Sequence, residues 1–81
     1  MNDLSKFYNM EKTTITTNND RLLAWMATVP AGKLPEVRAR IMRDCGISRY
    51  VLAHWLAGRT RIPLLAMRQI EEIAGQRIFE Y

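Results

Sequence analysis

Arginine is concentrated in one part of this chain. Six arginines lie between Arg38 and Arg61, and one acid, Asp44, lies among them. The formal net charge of the whole chain is +4, so this stretch carries more than the entire positive excess. Guanidinium groups bind phosphate through paired N–H donors, and each phosphate that they neutralise on a nucleic acid releases counterions. The pattern favours a polyanionic partner over the alternative, which is a solvated cationic face.

The other reactive residue types form no catalytic or metal-binding pattern. The sequence has one cysteine, Cys45, and one histidine, His54, which is too few for a zinc-ligand cluster or an intramolecular disulfide. Glu71 and Glu72 have no nucleophile or base at a useful spacing, so we interpret them as a solvated helix face. We therefore predict no enzymatic activity, no cofactor, no metal site and no small-molecule ligand.

Capping residues, prolines and glycines divide the sequence into four predicted helices. The cluster Asn18-Asn19-Asp20 favours a helix start, and Pro35 and Pro63 suit the first turn of a helix, where the missing N–H group costs nothing. Glycine commonly ends a helix in the left-handed conformation. The glycines at such positions are Gly46, Gly58 and Gly75. The predicted helices span about residues 20–28, 35–45, 48–57 and 63–74.

The third predicted helix has an apolar side and a polar side, because residues three or four apart share one side of a helix. Its apolar side comprises Val51, Leu52, Trp55 and Leu56. Its polar side comprises Arg49, Tyr50, Ala53 and His54. We expect the first set to pack into the core and the second set to be exposed. In the first helix, the predicted inner residues are Leu22, Leu23 and Met26.

The expected fold is all-α, a compact bundle of about four helices with short terminal β-strands as candidates. A chain of 81 residues allows one small domain. We divide it into an N-terminal arm over residues 1–18, a domain over 19–75 and a C-terminal strand or tail over 76–81. Residues 12–17 are β-branched and form the candidate N-terminal strand. No apolar run reaches the ~18 residues of a membrane-spanning helix, and no secretory signal is visible, so a cytoplasmic protein without membrane contact is expected.

Two helices joined by a tight turn can place the second helix in the major groove of DNA while the first crosses the backbone. This geometry needs a glycine in the turn, an apolar residue after it and apolar anchors on both helices. Gly46 and Ile47 fit the turn, and Ser48 fits the N-cap of the second helix. The anchors would be Ile41, Cys45, Leu52 and Trp55. Cys45 is accordingly interpreted as a buried apolar group.

Residues 38–63 resemble the helix-turn-helix of the phage repressor and Cro-like family, also called Xre-type. The resemblance is carried by the turn residues and anchors above together with the run from Trp55 through Gly58 to Pro63. Two positions depart from the family's pattern: Met42 stands where a small residue is usual, and Arg38 stands where glutamine is common. The resemblance implies a lambda repressor-like DNA-binding domain.

The resemblance also implies roles for individual residues, which agree with the charge pattern. The residues that would read bases are Arg49, Tyr50, Ala53 and His54. The residues that would contact phosphates are Arg38, Ser48, Arg59, Thr60 and Arg61. Arginine pairs best with guanine, through O6 and N7. The expected function is sequence-specific binding of double-stranded DNA by a small transcriptional regulator of the repressor type.

Three questions of partnership stay open at the level of sequence. A homodimer on a two-fold operator is expected because one helix-turn-helix reads few base pairs. Residues 12–17 and 76–81 are the candidate contacts between the two subunits. The first alternative is an antitoxin that docks a toxin through residues 1–12, whose apolar members are Leu4, Phe7, Tyr8 and Met10. The second alternative is a protein-interaction module that has lost DNA binding.

Overall fold

A computed structural model describes residues 17–81, which fold into four α-helices and contain no strand. The helices are α1 (Asn18–Thr28), α2 (Leu34–Cys45), α3 (Arg49–Leu56) and α4 (Leu64–Ala74), with a short 3₁₀ turn at Ala31–Lys33 between α1 and α2. The described part of the chain is therefore all-α, as the sequence predicted. None of the helices in this part is long and apolar enough to cross a membrane.

The first helix begins earlier than the cluster Asn18-Asn19-Asp20 predicted, because Thr17 is its N-cap. The Thr17 hydroxyl oxygen accepts a hydrogen bond from the backbone N–H of Asp20 (3.1 Å), and the Asp20 carboxylate accepts one from the backbone N–H of Thr17 (3.3 Å). This reciprocal capping box satisfies two N–H groups of the first turn. It leaves the Asn18 and Asn19 side chains available for contacts elsewhere in the fold.

All four helices contribute to one apolar core. The buried residues are Leu22, Met26, Ile41, Leu52, Trp55, Ile62, Met67, Ile70 and Phe79. The closest packing pairs α1 with α3 and α2 with α4, so α3 is held against the first helix rather than against its sequence neighbour alone. The prediction that Leu23 faces the core is wrong: its side chain is 50% exposed, since α1 turns only Leu22 and Met26 fully inward.

The C-terminal segment (residues 76–81), for which the sequence left a strand and a tail as alternatives, forms no strand. Its backbone N–H groups at Ile78 and Phe79 both donate to the Glu71 carboxylate, at 2.8 Å each. The Asn18 amide pairs with both backbone groups of Glu80, accepting from its N–H (2.9 Å) and donating to its carbonyl (2.8 Å). Side chains from α4 and α1 thus satisfy the backbone groups that a neighbouring strand would have bonded.

The same segment belongs to the core, because Phe79 is only 1% exposed. Glu71 is half-buried and bonded to this segment, so its interpretation as part of a solvated face is wrong; its neighbour Glu72 is exposed, as expected. Residues 1–16 lie outside the described residues. The candidate docking segment 1–12 and all but Thr17 of the candidate strand 12–17 therefore fall there.

Candidate nucleic-acid interface

A left-handed glycine turns the chain sharply between α2 and α3. Gly46 has φ +67°, a conformation that L side chains rarely adopt. Its N–H donates to the Arg43 carbonyl (3.3 Å), and the N–H of Ile47 donates to the Met42 carbonyl (3.0 Å). This pair of bonds is the Schellman arrangement that closes a helix C-terminus. The turn is therefore fixed by backbone hydrogen bonds as well as by packing.

The third helix starts directly after this turn, with Ser48 as its N-cap. The Ser48 hydroxyl oxygen accepts a hydrogen bond from the backbone N–H of Val51 (3.3 Å). Of the predicted anchors, Ile41, Leu52 and Trp55 are buried and Cys45 is half-buried; the turn residue Ile47 is also half-buried against the same core. Met42, the residue that departs from the family's pattern, also lies half-buried on that core. The apolar side of α3 therefore sets the orientation of the helix.

The four residues predicted to read bases form the exposed side of α3, named here the α3 outer face (Arg49, Tyr50, Ala53 and His54). Tyr50 is 65% exposed. The Arg49 guanidinium donates from Nη2 to the Tyr50 hydroxyl (3.2 Å) and lies over the Tyr50 ring, with Cζ 5.1 Å from the ring centroid. Two neighbouring side chains at the start of α3 are thus joined on its outer surface.

A second left-handed glycine ends α3 and starts the basic loop (residues 59–61). Gly58 has φ +76°, its N–H donates to the Trp55 carbonyl (3.1 Å), and the N–H of Arg59 donates to the His54 carbonyl (2.9 Å). The chain returns to the core immediately after the loop, at the buried Ile62. The loop is therefore anchored at both ends, and its three residues Arg59, Thr60 and Arg61 are exposed.

Asn19 fixes this loop to the first helix. Its side-chain amide donates to the carbonyls of Trp55 and Thr60, at 2.8 Å each. Asn19 lies 36 and 41 positions away from these partners, so no local pattern in the sequence could have indicated the contact. The sequence predicts a capping role for Asn19, whereas in the fold its side chain positions the basic loop.

The arginines between Arg38 and Arg61 divide into two groups. Arg40 and Arg43 both contact the Asp44 carboxylate, at 3.5 and 3.1 Å. The other members of the stretch form no ion pair with a carboxylate of residues 17–81. They are Arg38, Arg49, Arg59 and Arg61, and all are exposed. No hydrogen bond or ion pair among residues 17–81 joins Arg38 to the α3 outer face or the basic loop. The sequence contains no acid at all between Asp44 and Glu71.

Cys45 lies at the end of α2, where its thiol points toward the Ala66 carbonyl (3.9 Å). Burial raises the pKa of the Cys45 thiol, and the charge of Asp44 raises it further. Because the thiolate is the reactive form, a raised pKa disfavours nucleophilic and redox chemistry at this residue. Its place against the core is that of a small apolar group.

No family model, curated protein or solved structure matches the chain.

Proposed function

We propose that α2, the turn at Gly46 and α3 form a helix-turn-helix of the lambda repressor-like type, and that the protein binds double-stranded DNA in a sequence-specific manner. The observation that carries this proposal is the two-sidedness of α3. Leu52 and Trp55 fix the helix in the core, while the α3 outer face is exposed and is followed by two arginines of the basic loop. The likeness of residues 38–63 to the repressor and Cro-like family supports the same function.

The dimensions of α3 suit the major groove. An α-helix with its side chains is about 10–12 Å in diameter, and the major groove is ~12 Å wide, enough to admit it. In helix-turn-helix proteins the first residues of the recognition helix contact base edges. Here those residues are Arg49 and Tyr50. In the proposed complex His54, one turn further along the same face, reaches the next bases.

Phosphate contacts come from the residues that flank α3. Arg59 and Arg61 lie in the basic loop, and Arg38 lies on α2. The Ser48 hydroxyl uses one lone pair to cap α3 and keeps its proton for donation to a phosphate oxygen. Contacts of this kind fix the register of the protein on the duplex but carry no sequence information. Arg40 and Arg43 are excluded from the set because Asp44 engages them.

We further propose that the protein acts as a homodimer on a two-fold operator and regulates transcription as a repressor. A helix of eight residues covers few base pairs, so a second copy is needed for a site of useful specificity. Half-sites about one helical turn apart, or a multiple of it, would place both copies on the same side of the DNA.

Selection of bound sequences from a pool of random duplexes tests this function. We expect enrichment of a palindromic consensus, because two identical subunits related by a two-fold axis each bind one copy of the same half-site. The variant Arg68→Ala, which removes one exposed arginine from α4 beside Tyr81, should select the same consensus as the wild type. Absence of enrichment for the wild-type protein would overturn the proposal and favour a protein-interaction module.

A further inference from the structure

The contact between Arg49 and Tyr50 carries an inference about which bases the protein recognises, and it rests on the proposed function. We infer that these two side chains act as one recognition unit that donates hydrogen bonds only. Such a unit selects a guanine next to a second keto base, guanine or thymine, on the same DNA strand.

The first step concerns the hydrogen-bonding capacity that Arg49 retains. A guanidinium group has five N–H donors in a planar fork. The Tyr50 hydroxyl takes one donor, on Nη2. One complete edge of the guanidinium, with two parallel N–H groups, stays available. Two parallel donors match the O6 and N7 acceptors of guanine. The guanidinium lies over the Tyr50 ring, and a contact of this kind, about 0.5–1 kcal/mol at an exposed site, favours this orientation of the fork before DNA binds.

The second step concerns the Tyr50 hydroxyl. Its oxygen accepts from Arg49, so its own proton can be donated to another partner. A base amino group that approached this oxygen would be placed against the positive charge of the guanidinium, which is unfavourable. A carbonyl oxygen, or an N7 atom with no amino group beside it, would instead be attracted; the N7 atom of adenine lies next to its amino group. The Arg49 guanidinium and the Tyr50 hydroxyl therefore each favour a base that presents a hydrogen-bond acceptor.

The third step compares this requirement with the edges of the bases in the major groove. Guanine presents only acceptors there, at N7 and O6, and thymine presents O4; adenine and cytosine each present an amino donor. The donor nitrogen of Arg49 and the hydroxyl oxygen of Tyr50 are 3.2 Å apart. This separation is close to the ~3.4 Å between successive bases of one strand. The two groups can therefore meet neighbouring bases, with guanine under Arg49 and a keto base under Tyr50.

The test compares random-pool selections for the wild type, Tyr50→Phe and Arg49→Ala, with Arg68→Ala as the charge-matched control. The wild type and the control should enrich a guanine adjacent to guanine or thymine. Tyr50→Phe keeps the ring but removes the hydroxyl, so it should lose the preference at the adjacent position. Arg49→Ala should lose the guanine preference, which we expect to be about 5- to 150-fold. Both variants alter exposed side chains, and thermal melting verifies that they fold.

A second measurement uses the selected duplex with 7-deazaguanine in place of the guanine, which removes the N7 acceptor. It should weaken binding of the wild type by about tenfold and change binding of Arg49→Ala by less than about twofold. Adenine or cytosine at either position, or a consensus that both variants retain, would overturn the inference and leave the proposed function intact. Failure of the wild type to enrich any sequence would overturn the proposed function and the inference with it.

Discussion

In the C-terminal segment, polar groups are satisfied within the chain. Glu71 accepts hydrogen bonds from two backbone N–H groups and from the Tyr81 hydroxyl, and Asn18 bonds both backbone groups of Glu80. On the α3 outer face and basic loop, the exposed arginines form no ion pair with a carboxylate of residues 17–81. The two polar surfaces thus differ in where their partners lie.

This difference separates charges that stabilise the fold from charges that are available to a ligand. A carboxylate or amide that is bonded to the backbone of another element contributes to folding, and its loss should lower stability. An exposed arginine without a bonded carboxylate contributes little to stability. Its loss should instead appear in binding. Variants of the C-terminal segment should therefore lower stability and leave DNA affinity largely unchanged. Variants of the α3 outer face and basic loop should lower DNA affinity and leave stability largely unchanged.

The largest effect is expected from Phe79→Ala, which should lower the free energy of unfolding by about 3–5 kcal/mol. The ring is 1% exposed and joins the C-terminal segment to the core, so its removal leaves a cavity. Urea denaturation of the purified protein measures the change. The matched control is Leu65→Ala, whose side chain is 78% exposed; its effect should stay within about 0.5 kcal/mol. Equal effects of the two variants would contradict the account of the C-terminal segment.

Arg49→Ala should weaken binding to the selected operator by about 1–3 kcal/mol and leave the unfolding free energy unchanged within about 0.5 kcal/mol. Arg49 is exposed, and its hydrogen bond joins it only to the exposed Tyr50. Fluorescence anisotropy with a labelled duplex measures the affinity. Arg68→Ala removes the same charge from α4 and should change affinity far less. A similar loss in both variants would mean that net charge, rather than the α3 outer face, determines binding.

Asn19→Ala should affect both properties, because Asn19 connects the fold to the basic loop. Loss of its two hydrogen bonds should cost about 1–2 kcal/mol of stability and should also lower DNA affinity. Asn18→Ala is the matched variant: it removes two hydrogen bonds to Glu80 in the C-terminal segment. Asn18→Ala should cost a comparable amount of stability and leave DNA affinity intact. Affinity is measured under conditions in which both variants are folded. Equal losses of affinity would contradict the positioning role of Asn19.

A pH effect is expected from Glu71. Burial alone would raise the pKa of the Glu71 carboxyl, but the three hydrogen bonds that it accepts and the charge of Arg77 outweigh this effect and lower the pKa. The carboxylate therefore stabilises the fold fully above its ordinary pKa of 4.5, and this contribution is lost as pH falls through the lowered pKa of the folded state.

Glu71→Gln should accordingly cost about 1 kcal/mol at neutral pH, a value that allows for solvent screening of a partly exposed group. The variant should also show a smaller loss of stability than the wild type when pH falls below about 4.5. Urea denaturation at pH 7 and at pH 3.5 measures both effects. The neighbouring exposed Glu72 supplies the control, Glu72→Gln. If the two substitutions gave the same pH profile, the hydrogen bonds of Glu71 would not contribute as described.

Local signals were sufficient to predict the helices and the turn. Pro35, Gly46, Ser48 and Gly58 act through backbone conformation and capping, which depend on a few neighbouring residues, and the structure has helix ends at or beside each of them. Helical spacing likewise separated the buried and exposed sides of α3. A mixture of polar and apolar residues at residues 76–81 gave no comparable signal, so strand and tail were both predicted there; the structure has no strand in this segment.

Contacts between distant residues could not be predicted in this way. Glu71 and Asn19 have ordinary surroundings in the sequence, and their roles depend on which carbonyl and N–H groups the fold brings to them. The exposure of Leu23 has a similar cause, because it depends on which side of α1 the fold turns toward the core. The missed features therefore lie in tertiary packing, whereas the outward residues of α3 followed from helical geometry.

Salt dependence of binding to a duplex of random sequence tests the central claim most directly, since phosphate contacts release counterions whatever the sequence. The logarithm of the association constant should fall linearly with the logarithm of salt concentration, with a slope of about −0.9 per phosphate contact. Arg38, Arg59 and Arg61 together predict a slope near −3 for each bound copy of the chain, and the double variant Arg59→Ala/Arg61→Ala should reduce its magnitude by about 2 per copy. Affinity that does not change with salt, or a slope that the double variant leaves unaltered, would contradict the account.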